Sequence, residues 1–317
     1  RPPIPILPLL CIAAIAILPA AIAFAPCIGL RCASPLPTSQ ARRPPSLTRI
    51  LALDAASAAA ALSSTHAAAK RLILDSVALR PSEFASDLGF DSFTGVDLGT
   101  LGSVAGSVES FRGVDETKVA WVSAVELSGG VLGSRFELQA WNGPEVEVPN
   151  LVARATVRAD GIDLFLDLRP RLDAGYEDDP TAEITTREGF ARAANRARYD
   201  EAFFTPEARA WSKGVLGTPG AVPYPPPTDM VQGRATDRAG SVAGPLLVAA
   251  RFPLTDEAVA ACQAAVAETV GKYCEWMRGA EPTGWVVSRI VYDRDCQVRL
   301  TMFGAAAKEY GGGADAE

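Results

Sequence analysis

Between about Thr117 and Leu168, apolar and polar residues alternate with a period of two, in four runs separated by turn residues. Val119, Trp121, Ser123 and Val125 alternate with Ala120, Val122 and Ala124, and Phe136, Leu138 and Ala140 alternate with Arg135, Glu137 and Gln139. The same rhythm runs from Leu151 to Val157 and from Ile162 to Leu168. A period of two sends successive side chains to opposite faces of a strand. Ser128-Gly129-Gly130 and Asn142-Gly143-Pro144 supply turn chemistry between runs, and Asp160-Gly161 is expected to form a two-residue hairpin turn. The pattern predicts an antiparallel meander.

Its two faces differ sharply in chemistry. One carries Phe136, Leu138, Leu151, Ala153, Ala155, Val157, Ile162, Leu164 and Leu166; the other carries Arg135, Glu137, Gln139, Arg154, Thr156, Arg158, Asp163 and Asp167. Two readings of the polar face stay open: a solvated face, as antiparallel sheets often have, or a polar ligand site beneath a covering helix.

Helical spacing predicts helices elsewhere. Val259, Cys262, Val266, Val270, Tyr273 and Met277 recur at intervals of three and four, which places a helix over Asp256 to Met277. A second helix is expected from Asp200 to Val215, and a third carries Arg187, Arg192, Arg196 and Arg198. Thr255 followed by Asp256 and Glu257 is a helix start, with a capping hydroxyl and first-turn acids.

Several segments have a more particular character: Phe136 to Pro144 (FELQAWNGP), Val148 to Val157 (VPNLVARATV), Leu164 to Arg171 (LFLDLRPR), Gly244 to Phe252 (GPLLVAARF) and Tyr292 to Tyr310 (YDRDCQVRLTMFGAAAKEY). In order and spacing they resemble the ferredoxin-dependent bilin reductases and their plant relatives, the red chlorophyll catabolite reductases. The resemblance runs from about Lys118 to Tyr310. It implies an α/β fold, a three-layer α/β/α sandwich whose central antiparallel sheet is flanked by helices. An open-chain tetrapyrrole, a bilin or a chlorophyll catabolite, would lie between the sheet and the C-terminal helices. Such enzymes bind no cofactor; ferredoxin is the electron donor and pocket acids supply protons. The proline-rich loop from Gly217 to Pro227 would border the pocket as a lid or rim.

The chain departs from that pattern at its centre. Where the family places a carboxylate five residues after the strand's proline, this chain has Arg154, and where a His or Asn faces it, Glu137 stands. A guanidinium does not release protons near neutral pH. On the resemblance, Glu137 and Asp256 are the candidate catalytic acids, and Arg154, Asn150, Gln139, Thr156, Asp167 and Arg158 the candidate substrate-binding residues. A cross-strand pair of Arg154 with Glu137 would hold the carboxylate ionised, unless Arg154 pairs instead with a carboxylate of the tetrapyrrole. Asp167 reads first as structural, through a neighbouring arginine. The alternative function is a non-catalytic bilin carrier, chaperone or lyase-like protein on the same fold.

The first 50 residues change the picture of the domain. Residues 2–23 contain no charge and end in Ala21-Ile22-Ala23, small residues of the kind a signal peptidase reads, followed by Phe24. Residues 24–50 are rich in Ser, Pro, Ala and Arg and lack acids. Together they are expected to be a signal peptide, truncated at its N terminus, and a transit-peptide-like segment, similar to plastid presequences of algae with secondary plastids. Residues 51–317 then form one bilin-reductase-like domain in the chloroplast stroma, with no stable membrane span after processing.

Charge and cysteine usage narrow the partners. The 317-residue chain has a net charge of −7, and all its acids follow residue 53, so nucleic acid is not an expected partner. Ferredoxin is acidic too, and the expected docking patch is Arg187, Arg192, Arg196 and Arg198. Cys262, Cys274 and Cys296 follow the presequence without a CxxC motif, which suits reduced thiols and gives no metal motif. The single histidine, His66, lies in an Ala-rich helical stretch.

Overall fold

The structure is a computed structural model that describes residues 53–82, 92–97, 103–114, 118–129, 133–172, 174–176, 186–224 and 244–283. The expected presequence, the Tyr292 to Tyr310 segment with Cys296, and the rest of the chain after residue 283 lie outside the described residues.

Thirteen elements follow in order: α1 (Ala55–Ser76), β1 (Leu79–Pro81), β2 (Ser92–Asp97), β3 (Ser103–Gly113), β4 (Val119–Gly129), β5 (Gly133–Asn142), β6 (Asn150–Arg158), β7 (Gly161–Arg169), α2 (Arg187–Ala202), α3 (Pro206–Leu216), β8 (Val222–Pro223), β9 (Val248–Phe252) and α4 (Asp256–Arg278). The strands form one antiparallel sheet in the order β1-β3-β4-β5-β6-β7-β9-β8, with β2 also paired to β3. The expected meander is β4 to β7. In its register Phe136 faces Ala155 and Glu137 faces Arg154, while Ala155 faces Leu164 and Thr156 faces Asp163.

The apolar face makes the core. Phe136, Leu138, Leu151, Ala153, Ala155, Val157, Ile162, Leu164, Leu166, Val248 and Phe252 join one buried cluster with side chains from all four described helices. Helix α1 supplies Ala58, Leu62, Ala69 and Ile73, whose spacings of four and seven residues keep them on one stripe. It is capped by Asp54, whose carboxylate accepts from the Ser57 amide at 2.7 Å. Helix α4 supplies Val259, Cys262, Val266, Val270, Tyr273 and Met277, as its periodicity predicts. Of the three layers expected, the sheet and the helical layer on its apolar face are thus described.

Two expectations are corrected locally. The hairpin between β6 and β7 closes through Ala159 and Asp160, because Arg158 pairs with Gly161. Gly161 is therefore a strand residue, and its lack of a side chain lets β9 approach: a Cβ there would lie 2.7 Å from the Phe252 carbonyl oxygen. Second, the helix expected over Asp200 to Val215 is two helices. Pro206 has no amide proton for an upstream carbonyl and disfavours helical geometry at Thr205. Thr205 instead caps α3, accepting from the Ala208 amide at 3.3 Å. Beyond the expected meander, the sheet continues upstream into β1, β2 and β3, where many small and polar residues obscure the alternation.

Candidate functional site

Strand parity places Arg135, Glu137, Gln139 and Trp141 of β5 on one face, with Asn150, Val152, Arg154 and Thr156 of β6 beside them. Across β7 and β9 the face continues with Asp163, Phe165, Asp167, Arg169, Ala249 and Arg251. On the other flank β4 contributes Trp121, Ser123 and Val125. The central row is Val125, Glu137, Arg154, Phe165 and Ala249. Strands about 4.8 Å apart, with same-face residues about 6.7 Å apart along each, make this floor roughly 20 Å on a side.

The face is not solvated. Arg135 is 3% exposed, Glu137 6% and Arg154 8%, and Gln139, Thr156, Asp167 and Arg169 are buried as well. Charged side chains this far from water persist only when paired, and these are. Arg154 donates from Nε to Glu137 Oε2 at 2.8 Å. Arg135 donates to the same oxygen from Nε at 3.2 Å and from Nη2 at 3.0 Å. Gln139 donates to Glu137 Oε1, and Trp141 Nε1 donates to Gln139 Oε1 at 3.1 Å. Every second residue from Arg135 to Trp141 thus belongs to one chain of hydrogen bonds that ends on the Glu137 carboxylate.

This geometry decides the charge of Glu137. Burial alone would raise its pKa, but the charges of Arg154 and Arg135, with the hydrogen bonds from Arg154 and Gln139, hold the carboxyl well below the usual carboxylate range. In this arrangement Glu137 is an acceptor and not a ready proton donor.

Around the charged centre lie an apolar half and two satellite ion clusters. Trp121, Trp141, Val152, Phe165, Ala249, Tyr224 and Leu247 pack together on the same face. Asp167 pairs with Arg169 at 2.9 Å and accepts from the Gly244 amide at 2.9 Å; the Arg169 guanidinium stacks 5.9 Å from the Phe165 ring centre. Asp163 joins Arg158 at 2.9 Å and Arg251 at 2.6 Å at the rim.

The candidate residues therefore fall into groups. Glu137, Arg154, Gln139, Thr156 and Asp167 meet on one buried face, and Asp167 has the structural role read for it, with Gly244 as an unforeseen second partner. Arg158 lies at the half-exposed rim. Asn150 is a strand-end tie whose Oδ1 accepts from the Asn142 amide at 2.9 Å. Asp256 does not join them. It is exposed in the first turn of α4, which packs on the apolar face, whereas the Glu137 side chain points to the polar one. The expectation that these two acids share a pocket is corrected. Arg135, Trp141, Phe165 and Arg169 belong to the site and were not among the candidates; their strand parity was the available signal.

Two of the four arginines of the expected docking patch also make contacts within the chain. Arg196 donates to the backbone carbonyls of Ala174 and Gly175 and covers the Tyr176 ring, and Arg198 pairs with Glu147. Arg196 thus holds α2 against the loop after β7, and Arg198 ties it to the loop between β5 and β6.

On the opposite face, α1 is fastened to the sheet by the single histidine. His66 Nε2 donates to the Glu137 carbonyl at 3.0 Å, and its Nδ1 lies 3.0 Å from Glu126 Oε1. A cleft of about 350 Å³ opens nearby between Ala59, Ala60 and Ser63 of α1 and residues of β3 to β5, including Gly106, Glu126 and Phe136. It is separated from the Glu137 side chain by the sheet itself.

Cys262 and Cys274 are free and buried, and burial pushes the Cys262 thiol up to about 12, so it stays protonated and inert. Among the described residues no cluster of His, Cys, Asp and Glu is arranged to hold a metal ion, and no helix is long and apolar enough to cross a membrane.

No family model matches the chain, and no curated protein matches it in sequence. Its fold is similar to that of phytochromobilin synthase from tomato, solved in complex with biliverdin. The match has a TM-score of 0.51 at 15% sequence identity and covers 71% of this chain and 67% of that one.

Proposed function

We propose that the protein binds an open-chain tetrapyrrole on the buried polar face of the sheet and reduces it with electrons from ferredoxin. The observation that carries this reading is the floor itself: a buried field of arginines, a carboxylate and aromatic rings, on a fold similar to that of phytochromobilin synthase in complex with biliverdin. An open-chain tetrapyrrole is a long conjugated, largely apolar molecule with carboxylate side chains. The Trp121, Trp141 and Phe165 half suits the conjugated system, and Arg135 and Arg154 suit the carboxylates.

Reduction of one double bond takes two electrons, delivered singly by two ferredoxins, and two protons. Glu137 is the acid closest to the centre of the floor and the candidate donor of one of them. The expected plastid location, implied by the presequence and consistent with a ferredoxin partner, belongs to the same reading.

A second reading, a carrier or chaperone for a bilin without reductase chemistry, is favoured by one observation: the central carboxylate is held ionised by two arginines. Reduced ferredoxin distinguishes the two. A bound pigment whose absorption then shifts to that of a reduced bilin supports the enzyme; a bound spectrum that persists unchanged supports the carrier.

A further inference from the structure

Two guanidiniums share one carboxylate oxygen at the middle of the floor, with Arg154 Nε at 2.8 Å and Arg135 Nη2 at 3.0 Å from Glu137 Oε2. Across β5, β6, β7 and β9 the described residues of this face include Arg135, Arg154, Arg158, Arg169 and Arg251 against Glu137, Asp163 and Asp167. Asp163 is engaged by Arg158 and Arg251, and Asp167 by Arg169. Glu137 is the carboxylate that both central arginines share. A carboxylate planted there does for these guanidiniums what a ligand's carboxylate would do.

We infer that a carboxylate of the bound ligand replaces Glu137 on Arg154 and Arg135, and that the displaced Glu137 takes up one proton from water and so becomes the acid that faces the ligand. The inference rests on the tetrapyrrole reading above, since biliverdin and related pigments carry two propionate carboxylates.

Charge conservation is the physical reason. Before exchange the cluster holds two guanidiniums and one carboxylate. After exchange it holds two guanidiniums, the ligand carboxylate and a neutral carboxyl group, so its net charge is the same. Were Glu137 to stay ionised, a second negative charge would sit beside the first in a site from which water is excluded, and like charges at such distance do not both remain ionised. The only covalent change is the O–H bond formed on Glu137, and ligand release reverses it. The two requirements that conflict, a firmly ionised Glu137 and an acid facing the ligand, are thereby separated in time.

Calorimetric titration of the full chain with biliverdin, at one pH in two buffers of different ionisation heat, counts protons taken up per ligand bound. The expected result is about one proton per biliverdin, with an affinity that weakens by up to about tenfold for each unit rise in pH. Biliverdin dimethyl ester, which has no carboxylate to exchange, is expected to take up none, as is biliverdin with Glu137→Gln. Biliverdin binding without proton uptake, or equal uptake with the ester, overturns the exchange while leaving the binding site intact. If biliverdin does not bind, the tetrapyrrole reading falls and the exchange falls with it. Should Glu137→Gln fail to fold, the comparison of acid and ester on the unmodified chain decides the matter.

Discussion

Glu137 and Arg154 stand directly opposite each other on β5 and β6, joined at 2.8 Å and both almost wholly removed from water. Their pairing converts the alternation of one strand into a site. It also makes the site's charge depend on two further residues, Arg135 and Gln139, which bind the same carboxylate from positions two before and two after it.

The consequence for stability is asymmetric. Glu137→Gln leaves two buried guanidiniums without their shared counter-ion and is expected to cost about 3–5 kcal/mol. Arg154→Met leaves Glu137 still paired with Arg135 and is expected to cost less. Urea unfolding of the two variants measures the difference.

The same pair predicts an acid limb. Because Glu137 has a depressed pKa in the folded state, its contribution is fully present above the unfolded value, near the ordinary carboxylate range, and is lost as pH falls through the folded value. Stability should therefore decline on acidification below about pH 4, with the unfolded state binding the extra proton. Glu137→Gln should show a shallower decline over that range in denaturant midpoints measured against pH.

Gly244 is a second control point. A Cβ there would lie 2.1 Å from the Leu168 carbonyl oxygen and 3.0 Å from Asp167 Oδ1, the atom to which the Gly244 amide donates. Gly244→Ala must push the loop before β9 away from Asp167, at a cost expected to be about 1–3 kcal/mol from the disturbed buried hydrogen bond. Thermal unfolding checks it, and a variant as stable as the parent would contradict the tight approach.

His66 predicts a stability effect of its own. It bonds to Glu126 and to the backbone of Glu137, and its ring centre lies 6.0 Å from that of Phe136. His66→Ala removes a buried hydrogen-bond donor to a carbonyl as well as packing, with an expected loss of about 1–3 kcal/mol. Amide exchange should rise in α1 more than in β6 and β7.

The meander, the division of its faces and the course of α4 were legible in the sequence because each follows from a single period, two for strands and 3.6 for helices. The pairing of Glu137 with Arg154 was legible too, since parity and hairpin register together fix who faces whom. What the pattern could not reveal was burial. Arg135 and Thr156 have the composition of a solvated face, and only the fold shows that they are enclosed. Asp256 was misplaced for a related reason: a first-turn acid looks the same in sequence whichever face of the sheet its helix covers. Pro206 is the local signal in the sequence for the break between α2 and α3.

The most direct measurement is an absorption titration of the full chain with biliverdin, repeated on Arg154→Met. The floor built by Arg135, Glu137, Arg154, Trp141 and Phe165 predicts a saturable shift of the pigment's spectrum at one equivalent, weakened about tenfold or more when the charged hydrogen bonds of Arg154 are lost. A spectrum identical to that of the free pigment, or equal affinity in the variant, would contradict it.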